Sequence, residues 1–195
     1  MSRDVYEEID FRKLEYTFIY QCAPVIAGLK ISNLLIVNRK QIKNALMLIK
    51  EFGLSAYLLY STPDKVSLLV FNMEKTEEYL MREENVSFIN SLGYNEVSMN
   101  IVLREISVKY AGYMRQTSSF PDELGIVLGY PTEDVVGYIE NKGKDFLLNG
   151  YWKVYSDPDK KESLFRSFDE ATEDMIRKLI SEKDIRSIVN IFKAA

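Results

Sequence analysis

Residues 120–157, FPDELGIVLGYPTEDVVGYIENKGKDFLLNGYWKVYSD, constrain the fold more than any other part of this chain, because its prolines and glycines each dictate a local conformation. Pro121 suits the first turn of a short helix carrying Leu124, Val127 and Leu128, since the donor it lacks has no intrahelical partner there. Gly129 stops that helix. Pro131 starts another, Glu133 and Asp134 meet its positive N-terminal end, Val135, Val136 and Ile139 face inward, and Asn141 and Gly143 end it. The stretch therefore predicts a helix–Gly–Pro–helix corner. Beyond it, residues 151–155 alternate aromatic and aliphatic groups and read as a fourth strand, closed by the turn at Ser156, Asp157 and Pro158.

The first three strands lie earlier. Ile9, Leu14, Phe18 and Cys22 recur at near-helical spacing and predict an amphipathic helix ending around Pro24, followed by a strand over 34–37. Ile42, Leu46, Ile49 and Phe52 predict a second helix capped by Gly53. Two apolar runs, 56–60 and 66–71, flank Thr62, Pro63 and Asp64 and predict an antiparallel hairpin. Helices are expected over 73–81, 97–110 and 164–192, the last with a break near Ser181 and Asp184. The fold class is mixed α/β (α+β): a small mixed sheet of about four strands covered by about seven helices. At 195 residues without a low-complexity linker, residues 1–195 are expected to form a single globular domain, burying roughly 70% of the surface of the extended chain.

The absence of histidine removes Ser–His–Asp and Cys–His catalysis, histidine-bearing zinc sites and imidazole ligation of haem. One cysteine, Cys22, holds neither an iron–sulfur cluster nor a four-thiolate zinc site, and it fits a reducing compartment. Glu133 with Asp134, and Asp157 with Asp159, are the visible carboxylate pairs, at positions where helix-start and turn acids are common. No cofactor is implied and no metal site is assigned. A net charge of −4 supplies no basic field for nucleic acid. The acidic start MSRDVYEEIDFRK is unlike a secretory signal, and residues 25–37 are too short and too interrupted by Lys30 to span a bilayer. The expectation is a cytoplasmic protein with no nucleic-acid or membrane partner, its oligomeric state left open.

Two blocks carry a resemblance: CAPVIAGLKISNLL at 22–35, and the 120–157 stretch with its GYPTEDVVGYIENKG and GYWKVY segments. In this order and separation they resemble the bacterial, uncharacterised family known as domain of unknown function 3793. The resemblance implies no activity. It also implies that relatives carry a histidine where Asp122 stands and a cysteine near Ala171, and neither group is present here.

Two sets of residues are candidates for a site. Cys22 and Lys30, in the first block, form the candidate catalytic pair, with a packed thiol and a snorkelling lysine as the structural reading. Lys30, Tyr130, Lys142, Tyr151, Trp152 and Lys153 form the candidate ligand-binding set, in which rings would stack a planar group and lysines neutralise an anion; a tyrosine-rich core is the structural reading. The leading functional expectation is a non-catalytic binding or accessory protein recognising a protein partner or a small anionic ligand. The alternative is a histidine-free enzyme acting on an anionic or thioester-like substrate through Cys22 and Lys30.

Overall fold

The computed structural model describes residues 1–189; the end of the helix expected over 164–192, with Phe192, lies outside them. The chain divides into two compact units: Met1–Asn72 with the chain from Arg166 onward, and Met73–Phe165.

The first unit contains α1 (Arg3–Glu7), α2 (Leu14–Ile26), β1 (Ser32–Asn38), α3 (Ile42–Glu51), β2 (Ser55–Ser61) and β3 (Lys65–Phe71). The strands form an antiparallel sheet in the order β1-β3-β2, so the predicted hairpin places β3 at the centre. Phe18, Ile19 and Cys22 of α2, Ala45 and Ile49 of α3, and Leu35, Leu68 and Val70 of the sheet share one core with Met175, Ile176 and Leu179. α2 does not end at Pro24. It runs on to Ile26, since Pro24 removes only the one donor that would reach the Tyr20 carbonyl, and the stop comes at Gly28, whose φ of 70° lets the Leu29 N–H close onto the Pro24 carbonyl. Nor does Ile9 belong to that helix: Lys13 enters it in extended conformation.

The second unit contains α4 (Met73–Leu80), α5 (Glu83–Ser91), α6 (Met99–Met114), α7 (Leu124–Val127), α8 (Thr132–Glu140), β4 (Leu148–Asn149) and β5 (Lys153–Val154). The corner is as predicted, with α7 ended by Gly129 at φ 77° and α8 entered from Pro131. The mixed α+β class holds, but residues 151–155 are not a fourth strand of the sheet. β4 and β5 form a separate two-residue ladder, which stops after Val154 because the N–H groups of Tyr155 and Ser156 are both taken by the Asp134 carboxylate. The boundary between the units falls within α9 (Pro158–Glu182), which starts ahead of the expected Leu164 and ends where Lys183 adopts a φ of 56°, next to the predicted break. Among the described residues, no helix is long and apolar enough to cross a membrane.

Candidate functional site

The turn at Gly28 carries Lys30 back to α2 and β1, where its Nζ donates to Asn33 Oδ1 at 2.6 Å while the Asn33 amide donates to the Gln21 carbonyl. Cys22 is 0% and Lys30 6% exposed, so the candidate catalytic pair is brought together but sealed. Burial pushes the Cys22 thiol up to about 12, against the pull of the Lys30 charge. It pushes the Lys30 ammonium down to about 8, against the pull of Cys22. Burial outweighs mutual attraction for both groups, so near neutral pH the sulfur is an un-ionised thiol.

The two shifts have opposite consequences for stability. Lys30 titrates at about 8 when folded against its ordinary value of 10.5, so the unfolded chain binds more protons between these values and stability rises with pH across that window. Cys22 titrates at about 12 against 9.0, so its contribution is complete below 9.0 and is lost as pH rises towards 12. Relative to Lys30→Met, the native chain is therefore expected to gain stability from about pH 8 to 10.5, and relative to Cys22→Ala to lose it from pH 9.0 to about 12. Urea midpoints measured across that range check both slopes, and parallel profiles for all three proteins would contradict them.

In the second unit the ligand-binding candidates are mostly occupied with each other. Trp152 is buried; it stacks on Tyr130 at 4.8 Å, meets the Phe165 ring edge-on at 4.5 Å, and donates its indole N–H to Asp134 Oδ2 at 2.8 Å. Asp134, 1% exposed, also accepts from the Tyr155 and Ser156 N–H groups, and Lys161 Nζ lies 3.8 Å from it and 2.9 Å from Glu133. Gly137 lets the Tyr155 ring approach the α8 backbone: a Cβ there would lie 2.5 Å from that ring. Lys153 donates to the Gly143 carbonyl at 2.6 Å and lies between the rings of Tyr138 and Phe146. Lys142 is exposed at φ 52° behind α8, and Tyr151 is partly exposed. The aromatic–lysine constellation is thus a clamp joining α8 to the β4–β5 ladder. Asp157 lies in a turn at φ 47°, and Asp159 opens α9. Among the described residues, no three His, Cys, Asp or Glu side chains group as a metal site.

Two further constellations have no sequence motif. In the second unit, the buried Glu123 carboxylate accepts from Tyr94 at 2.8 Å and pairs with Lys109, beside a cleft of about 480 Å³. Burial and the bond to Glu123 push the Tyr94 hydroxyl above its ordinary range. In the first unit, a cleft of about 670 Å³ is lined by Phe11 and Ile36 on its apolar side and by Arg12, Lys40 and Lys65 with a single acid, Asp64. Arg12 is held by two bonds to Asp10, at 2.8 and 3.1 Å. Phe11 continues into a half-exposed aromatic trio, 5.8 Å from Tyr6 and 5.2 Å from Tyr20. None of the candidate residues read from the sequence lines this cleft; the only local signal is the basic run around Arg39, Lys40 and Lys43 in a chain of net negative charge.

No curated protein and no solved structure gives a significant match to this chain. The sequence profile described as protein of unknown function (DUF3793) matches residues 18–189, which include both blocks singled out above. That span is most of the chain, and the protein therefore belongs to the DUF3793 family.

Proposed function

We propose that this is a cytoplasmic, non-catalytic binding protein whose recognition surface is the 670 Å³ cleft of the first unit. The observation that carries the reading is a contrast in access. The only thiol is sealed and held un-ionised, whereas the cleft presents rings and cations to solvent. Pockets with apolar walls and a few convergent polar groups are the usual form of a ligand site. Catalysis by Cys22 and Lys30 on an anionic or thioester-like substrate would need a reachable thiolate, and burial opposes both requirements.

Thiol labelling separates the two readings. In the native protein Cys22 is expected to react about two orders of magnitude more slowly than free cysteine, at a rate set by local opening, and equally slowly in Lys30→Met. Fast labelling below about pH 7 that slows in Lys30→Met would overturn the non-catalytic reading in favour of catalysis at Cys22 and Lys30.

A further inference from the structure

The outer edge of β1 already carries an imitation of a neighbouring strand. The Ile36 N–H donates to Gln21 Oε1 at 2.9 Å and the Ile36 carbonyl accepts from Gln21 Nε2 at 3.4 Å, so one side-chain amide occupies a rung that a peptide group would fill. Both Ile36 groups therefore point away from β3. Asn38, two residues on, turns its backbone to the same side, by the two-residue period of a strand, and it lines the cleft. Around this edge stand Arg12, Lys40 and Lys65 against Asp64, with the half-exposed rings of Phe11, Tyr6 and Tyr20 alongside. From this we infer that the cleft takes an acidic, extended segment of a protein partner, which displaces the Gln21 amide from Ile36 and adds to the outer edge of β1; the inference rests on the binding role proposed above. Charge complementarity selects the acidic side chains, because with Arg12 paired to Asp10 the two lysines Lys40 and Lys65 still face one acid, Asp64. The strand edge selects a peptide over a lipid headgroup or free phosphate, since neither of those offers alternating N–H and C=O groups. Exposed Tyr, Phe and Arg side chains are the types that anchor protein interfaces.

The test is an array of random-sequence peptides of about ten residues, a length that strand addition can use, probed with the native protein and with Lys40→Glu, Lys65→Glu and Phe11→Ser variants whose folding is checked by circular dichroism. Inorganic phosphate and phosphatidylglycerol vesicles serve as competitors. The expected binders are enriched in Asp and Glu, weaken about tenfold on either lysine reversal, weaken with added salt, and are lost when alternate backbone amides are N-methylated. Binders without acidic bias that still weaken in Phe11→Ser overturn the ligand class and leave the binding role standing. Displacement by vesicles or phosphate at concentrations below those of the peptides overturns the peptide assignment in favour of those ligands. Absence of any binder sensitive to Phe11→Ser, Lys40→Glu or Lys65→Glu overturns both the inference and the cleft as recognition surface; rapid Lys30-dependent labelling of Cys22, by contrast, overturns the non-catalytic reading alone.

Discussion

Asp134→Ala is expected to cost about 3–5 kcal/mol, the range for deleting one partner of a buried charge cluster. Three donors lose their acceptor at once: the Trp152 indole and the backbone N–H groups of Tyr155 and Ser156. Lys161, itself buried, keeps the Glu133 carboxylate but loses the one beneath it. Asp134→Asn should cost less, because one oxygen still accepts from the backbone while the negative charge beside Lys161 is gone. Guanidinium unfolding followed by the fluorescence of the single tryptophan gives both numbers, and a midpoint for Asp134→Ala equal to the native one would show that the cluster is solvated.

Trp152→Ala is expected to cost about 3–5 kcal/mol as well, the usual penalty for deleting a large buried aromatic group. The indole fills the space between Tyr130 and Phe165, and neither ring has another route to close it without moving α8 or α9. Trp152→Phe should recover part of the loss by restoring ring contact without the N–H. Neither variant has a tryptophan, so circular dichroism is the readout. Because Trp152 and Asp134 touch, the double variant should lose less than the sum of the single losses. Strict additivity would mean that their hydrogen bond contributes nothing to the folded state.

These positions lie in the stretch where local chemistry is most legible, yet their roles cannot be read from it. Glu133 and Asp134 look alike in sequence as helix-start acids. Glu133 keeps its carboxylate half in solvent on Lys161, while Asp134 is buried and organises a ladder some twenty residues away. Helix position sets the direction in which each side chain leaves α8, but which direction meets the β4–β5 segment depends on packing. Residues 151–155 mislead for a related reason: alternating aromatic groups satisfy a strand pattern, but here they alternate because Trp152 and Val154 enter a core while a side-chain carboxylate ends the pairing.

What the sequence determined by itself was local. Proline and glycine act through their own dihedral angles and those of a neighbour, so the helix–Gly–Pro–helix corner, the β2–β3 hairpin and the caps at Gly53 and Gly129 could be read in order along the chain. The absence of histidine was equally local, a fact about which chemistries the chain can supply. Tertiary structure decided whether a given polar group ended up sealed or exposed. Lys30 became a buried cation and Cys22 an un-ionised thiol because α2 and β1 close over them. Phe11, Lys40 and Lys65 line one cleft because the sheet brings the end of β1 and the β2–β3 hairpin beside the start of α2. Hydrophobic periodicity specifies which face of an element is buried, but not which distant element covers it, and the cleft is made of such long-range neighbours.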